Sequence, residues 1–220
     1  GPQTATSMIL VTPDAERTML TFLGACVDLE MADVDENLIK ASKITYLEGY
    51  LWDRPGAKEA FLKACEVAHQ AGRKISLSLS DPFCVDRHRD EFCDLIEHHV
   101  DILFGNEDEI LSLCQTNFFN VALDYVRGHC EISALTRGEK GSVVINGDEV
   151  FYVDAEPVTQ LIDTTGAGDA YAAGFLYGVS TGQNLDVSGR IGGICATEVI
   201  SHMGARPKVS LKDLIVGQLS

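Results

Sequence analysis

The sequence predicts an α/β protein: a doubly wound parallel sheet with helices on both faces, preceded by a small β hairpin. Three observations lead there. Apolar strand-like runs alternate with amphipathic helical stretches along most of the chain. The runs are too continuously apolar to leave one face in water, which argues for parallel strands covered on both sides. Two β-rich runs joined by a Pro-Asp turn precede this alternation. The balance of 220 residues, 45% apolar and 23% charged, suits one large core and excludes disorder as the main state.

Residues 6–12 and 17–23 flank Pro13-Asp14-Ala15-Glu16, which has the residues of a tight turn, so they read as a hairpin. A short helical stretch follows Asp35, and residues 43–47 form an apolar strand ending at Gly49. Ala57, Ala60, Phe61, Ala64, Val67, Ala68 and Ala71 then mark one helix face, with Gly72 where a C-terminal cap belongs. Next come strand 74–79, helix 86–98, strand 101–104, helices 106–114 and 120–128, and strands 131–136 and 142–145. Asn146-Gly147 reads as a two-residue hairpin turn into strand 149–153. A short strand over 160–162 runs into a glycine-rich loop, followed by helices 167–179, 185–201 and 210–218. Ligands of such folds sit beyond the carboxyl ends of the strands, so the loops at Gly105, Arg137 and Asp163 are where chemistry is expected.

Seventeen Lys and Arg against thirty-three Asp and Glu give a net charge of −16, which repels nucleic acid and anionic lipid at long range. Any phosphate compound must therefore be held by a few local donors and a metal ion. The seven cysteines are scattered and contain no C-x-x-C pair, so they read as reduced thiols of a buried core in a cytoplasmic protein. No run approaches the ~20 apolar residues of a membrane-spanning helix, and no signal peptide is read at the start. His88-Arg89-Asp90 lies on an amphipathic helix without a preceding glycine-rich loop and reads as a solvated face. Residues 138–142 lack the ending of a Walker A loop.

The run Asp163-Thr164-Thr165-Gly166-Ala167-Gly168-Asp169 carries the chemistry. Placed before a helix, its glycines let successive N–H groups point outward at the helix's positive end, an anion cradle. Asp169 falls in the first helical turn, where a carboxylate can take the proton of a hydroxyl attacking phosphorus. A glycine-rich turn with a capping Asp is the competing reading. Asn106 with Glu109 likewise reads either as a helix capping box or as a metal-positioning pair.

The run over residues 161–175, LIDTTGAGDAYAAGF, resembles the second signature of the ribokinase-like, phosphofructokinase-B-type carbohydrate and nucleoside kinases. Asn106-Glu107-Asp108-Glu109 resembles that family's N-x-x-E motif, and residues 136–141, TRGEKG, its nucleotide loop, in the same order. The resemblance covers essentially the whole chain and matches the C-terminal two thirds of the family's usual length. It implies residues 1–30 as part of the β lid and 31–220 as the nucleotide-binding and catalytic domain. It further implies Asp169 as catalytic base, the N–H groups of Gly166, Ala167 and Gly168 as anion hole, and Asn106 and Glu109 as the motif that places Mg²⁺ on ATP, through water. Thr136, Gly138 and Gly141 would line the phosphates and ribose, and Gly193, Ala196 and Ile200 would face adenine, with Gly204-Ala205-Arg206-Pro207 beside them. Arg17, in the hairpin pattern Asp14-Ala15-Glu16-Arg17-Thr18, would project from the lid.

Asp163 and Thr165 fit the monovalent-cation (K⁺) site of some relatives, but Lys208 stands where a small polar ligand would align, and its ammonium can replace the cation. The segments 7–19, 46–53 and 79–92 look most like a bacterial branch of adenosine kinases and sugar kinases. The implied activity is transfer of the ATP γ-phosphoryl to a hydroxymethyl group of a sugar or nucleoside, adenosine first, with ribose and fructose as alternatives. A non-catalytic nucleotide-binding module or fragment is the rival, which an intact Asp169 disfavours. Dimers through the lid strands are a further expectation from the resemblance.

Overall fold

Strand β1 (Thr6–Val11) pairs antiparallel with β2 (Arg17–Phe22), Thr6 opposite Phe22 and Val11 opposite Arg17, which forms the expected hairpin. Its two strands leave Met8, Leu10, Met19, Leu20 and Phe22 exposed. The computed structural model describes residues 1–219, and the chain divides into two compact units. One comprises residues 1–5, 23–136 and 145–150, and the other residues 6–22, 137–144 and 151–220.

In the first unit, β3 (Ile44–Glu48), β4 (Lys74–Ser78), β5 (Ile102–Asn106) and β6 (Ile132–Thr136) pair in parallel, each with its chain-order neighbour. They belong to a six-stranded sheet in the order β3-β4-β5-β6-β7-β8, where β7 is Ser142–Asn146 and β8 is Glu149–Val153. Consecutive residues of β4, β5 and β6 are buried, so both faces are covered, as parallel strands require.

Helix starts and stops follow local chemistry. Asp35 caps α1 (Glu36–Ala41) by accepting the N–H groups of Asn37 and Leu38. Helix α2 (Pro55–Gln70) begins with proline in its first turn and ends in Gly72 at φ +65°. Arg73 N–H then donates to the Ala68 carbonyl and Gly72 N–H to that of His69, the glycine-terminated stop. Helix α3 (Pro82–His98) starts earlier than the sequence reading, because Asp81 accepts from Cys84 N–H and Pro82 occupies the first helical position. Helices α4 (Glu107–Leu113) and α5 (Phe119–Arg127) complete this unit.

Four expectations are corrected. Residues 160–162 form no strand; the N–H groups of Ile162 and Asp163 both turn to the carbonyl of Ile200, an orphan acceptor at a helix end. The turn between β7 and β8 uses Gly147 and Asp148, one residue later than Asn146-Gly147, with Gly147 at φ +56°. His88 is not solvated: its side chain is 18% exposed and its ring nitrogens lie 2.7 Å from Asp53 Oδ1 and 3.1 Å from Glu91 Oε2, at a kink of α3. Cys26 is exposed rather than part of a buried core, while Cys65, Cys84, Cys130 and Cys195 are buried and all seven are free.

The second unit is built around α6 (Ala167–Ser180) and α7 (Leu185–Ile200), with α8 (Leu211–Leu219) beside them. Ala170, Ile191, Ile194, Cys195, Val199 and Ile215 form its buried cluster. Glycines let α6 and α7 approach closely. A Cβ on Gly174 would stand 2.8 Å from both Cys195 Sγ and the Ile191 carbonyl oxygen. We expect Gly174→Ala to lose about 1 kcal/mol: overpacking against main chain costs ~1–3 kcal/mol, and the better helix propensity of alanine returns ~1. For a chain of this size that lowers Tm by ~2–4 °C in a thermal melt; an unchanged Tm would show that the helices can separate freely.

Candidate active site

The glycine loop is set by one left-handed residue. Gly166 stands before α6 at φ +79°, and a Cβ there would meet the Ala205 Cβ at 2.9 Å and its carbonyl oxygen at 3.0 Å. Only glycine satisfies both demands. Ahead of it, Asp163 is 3% exposed and clamps the loop: Oδ1 accepts from Thr165 N–H and Oδ2 from Gly204 N–H, both at 2.9 Å. Burial pushes its pKa up, but the bonds from Thr165 and Gly204 and the nearby Arg17 guanidinium outweigh burial and hold the carboxyl below its ordinary value. Residues 204–205 thus lie behind the glycine loop, a place the sequence alone did not reveal.

Ala167 N–H donates to the Thr164 carbonyl at 3.2 Å, while Gly168 N–H has no main-chain acceptor among the described residues, as expected in a first helical turn. Gly168 and Asp169 are both exposed, and the Asp169 carboxylate makes no hydrogen bond or ion pair among the described residues. A helix N-terminus, the open amide of Gly168 and an unpaired carboxylate therefore share one turn, whereas the expected Ala167 donor is taken up by Thr164. Arg17, from the hairpin, donates through Nη1 to Thr164 Oγ1, which also lies 3.4 Å from the Ala15 carbonyl. Thr164 escaped the sequence reading because its partner lies 147 residues away.

Gly138 and Gly141 adopt φ +56° and +80° around a short helical turn, and Arg137 N–H closes it on the Gly141 carbonyl at 2.8 Å. A Cβ on Gly141 would fall 2.0 Å from the Val153 carbonyl, so this glycine is demanded by packing whatever else it does. Tyr171 of α6 shares a 2.8 Å hydrogen bond with Ser142, the residue after this loop. On α7, Gly193, Ala196 and Ile200 form a half-buried stripe, while Ile191, Ile194, Cys195 and Val199 point into the core. The stripe is thus distinct from plain core.

In the first unit, Asn106 ends β5 directly opposite Thr136 at the end of β6, so the parallel register sets these two motif residues side by side. Asn106 and Glu109 do form a capping box: Asn106 Oδ1 accepts Glu109 N–H at 2.8 Å, and Glu109 accepts Asn106 N–H at 2.9 Å and Nδ2 at 2.8 Å. Glu109 is 6% exposed; burial pushes its pKa up to about 7, opposed by the Asn106 N–H and reinforced by Asp81, Glu48 and Asp108. Among the described residues no group of three or more His, Cys, Asp or Glu side chains is placed to hold a metal ion directly, so a cation here would be held through water. All the charged groups are oxygen donors, the kind Mg²⁺ takes, and a carboxylate has about four acceptor positions, so Glu109 retains capacity for a metal-bound water.

Residues 1–212 match the pfkB family of carbohydrate kinases. The chain belongs to that family. It is 49% identical to a probable sugar kinase protein from Rhizobium etli CFN 42, whose crystal structure superposes with a TM-score of 0.96 over 98% of this chain and 66% of that one. It is 47% identical to the adenosine kinase of Sinorhizobium meliloti, with a TM-score of 0.95 over 99% of this chain and 66% of that one. A curated relative, the adenosine kinase of Schizosaccharomyces pombe, is 24% identical over 92% of this chain and 64% of its own length. The chain therefore spans about two thirds of these pfkB-family relatives. Among the described residues, no helix is long and apolar enough to cross a membrane.

Proposed function

We propose that the protein containing this chain transfers the γ-phosphoryl group of ATP to a hydroxymethyl group of a nucleoside or sugar, with adenosine as the first acceptor to test. The observation that carries this reading is the exposed, unpaired Asp169 in the first turn of α6, beside the open amide of Gly168 and after the left-handed Gly166. In the transfer, Asp169 takes the hydroxyl proton, the acceptor oxygen bonds to the γ-phosphorus, and the bond to the β–γ bridging oxygen breaks to release ADP. The amides of Gly166 and Gly168 stabilise charge on the transferring group, while the Ala167 amide is already given to the Thr164 carbonyl and would have to leave it to join them. Mg²⁺, when bound, offsets phosphate charge, and Asn106 and Glu109 would hold it through water. Thr136, Gly138 and Gly141 would take the phosphates and ribose, and the stripe Gly193, Ala196 and Ile200 the adenine.

Similarity to both an adenosine kinase and a sugar kinase supports the acceptor class and leaves two named candidates within it. An ATP-consumption screen of the full-length protein against nucleosides, ribose and fructose decides between them. Turnover with no acceptor would overturn the reading in favour of a nucleotide-binding module. The hairpin, with its exposed apolar residues and Arg17 bonded to Thr164, serves as a lid over the acceptor in this reading and offers an edge for a second copy. The Asp163 carboxylate already has two N–H partners and the Arg17 charge nearby, which supports a loop that needs no K⁺; among the described residues the exposed Lys208 makes no ion pair with it. Equal rates in KCl and NaCl are expected; a rate that rises several-fold in KCl would show a cation bound there.

A further inference from the structure

The last turn of α7 holds a carboxylate that the phosphotransferase reading does not use. Glu198 sits near the negative end of the helix, an unfavourable place for an anion, and its side chain is only 10% exposed. Its Oε2 is fully enclosed with no hydrogen-bond partner. Such a group destabilises the fold unless something depends on it. What depends on it is the segment after the helix: Oε1 accepts Lys208 N–H at 2.9 Å and lies 3.2 Å from His202 Nε2. One carboxylate thus ties both ends of residues 202–208. Between those ends, Gly204 donates to Asp163 and Ala205 backs Gly166, the two residues that shape the glycine loop.

We propose that Glu198 is a positioning residue for the anion-binding loop, acting through residues 202–208 on Asp163 and Gly166 and so on the direction of the amides at 166–168. Its kinetic consequence rests on the phosphotransferase reading; its structural consequence does not. A displacement of about 1 Å in a positioned group costs roughly 10²-fold in rate, so a clamp this close to the loop governs turnover.

The test uses the full-length protein with Glu198→Ala, Glu198→Gln and His202→Ala, measuring kcat, KM and amide hydrogen exchange of peptides along the whole chain. Glu198→Ala is expected to lower kcat by about 10–100-fold with KM for the acceptor within about twofold, and to speed exchange in 202–208, where Lys208 N–H loses its acceptor, and in 162–170, with the other segments unchanged. Glu198→Gln keeps the Oε1 acceptor and should return kcat to within about threefold of the parent. The proposal is overturned if Glu198→Ala leaves both kcat and exchange unchanged, or if both Glu198 variants raise exchange uniformly along the chain. Should Glu198→Ala fail to fold, His202→Ala decides: faster exchange in 162–170 with reduced kcat supports the clamp, and parent-like values in both refute it. A parent protein that turns over no acceptor defeats the phosphotransferase reading only, since exchange in 162–170 still reports on Glu198.

Discussion

On the proposed phosphotransferase reading, Asp169→Ala is expected to lower kcat by about 10²–10⁴-fold, the usual contribution of a positioned general base, while affinity for ATP changes little. The structure makes the two effects separable. Asp169 is exposed and bonded to nothing among the described residues, so its removal takes away no structural contact. The helix N-terminus and the amides of the loop persist in the variant, and with them the binding of phosphate. Asp163 provides the contrast: its two main-chain bonds hold the loop itself, so Asp163→Ala disturbs nucleotide binding and stability together. Steady-state kinetics and equilibrium titration with ATP, on Asp169→Ala and Asp169→Asn, check the prediction. Turnover within tenfold of the parent would remove Asp169 from the chemistry, and a matching loss of ATP affinity would make it a binding group.

Much of this site was legible in the sequence because its signals are local. The glycine loop needs a residue at positive φ immediately before a helix, and that requirement writes Gly166 into the chain beside Asp169. Asn106 and Glu109 are likewise one turn apart, and the structure bears out the capping-box half of that reading, the pair making a complete box, while the metal half belongs to the proposed function. The parallel pairing of β3 to β6 follows from alternation of apolar runs and helices, which is also local, although the order of the strands does not. What the sequence hid is non-local. Nothing around Thr164 announces Arg17, nothing around Gly204 announces Asp163, and Glu198 looks like any solvated helix residue until Lys208 and His202 fold back on it. The supposed strand at 160–162 failed for the same reason: its β-like composition is satisfied by one distant carbonyl at Ile200 instead of by a neighbouring strand.

Glu109→Gln gains stability relative to the parent as pH rises towards neutral, in a direction fixed by the buried carboxyl, whatever the constant cost of turning an amide NH2 towards one of the two Asn106 donors. Burial, with Asp81, Glu48 and Asp108 nearby, pushes Glu109 from 4.5 up to about 7 in the folded chain. Below pH 4.5 the group is protonated in both folded and unfolded states and contributes no difference. Between pH 4.5 and 7 the unfolded chain ionises while the folded chain holds its proton, so the parent loses stability as pH rises, and above about 7 the loss is constant. A rise of this size corresponds to about 3 kcal/mol. Glutamine does not titrate, so parent and variant diverge by about that amount between pH 4.5 and 7.5, in urea unfolding with chelator present. Other carboxylates titrate in both proteins and largely cancel in the difference. Parallel stability profiles would show that Glu109 ionises normally and that its surroundings are wetter than the structure gives. A divergence of the expected size would mean that the fold carries the cost of a buried acid above neutral pH. The two Asn106 donors offset that cost only in part, and a carboxylate kept there despite it suits the proposed role of Glu109 toward a cation.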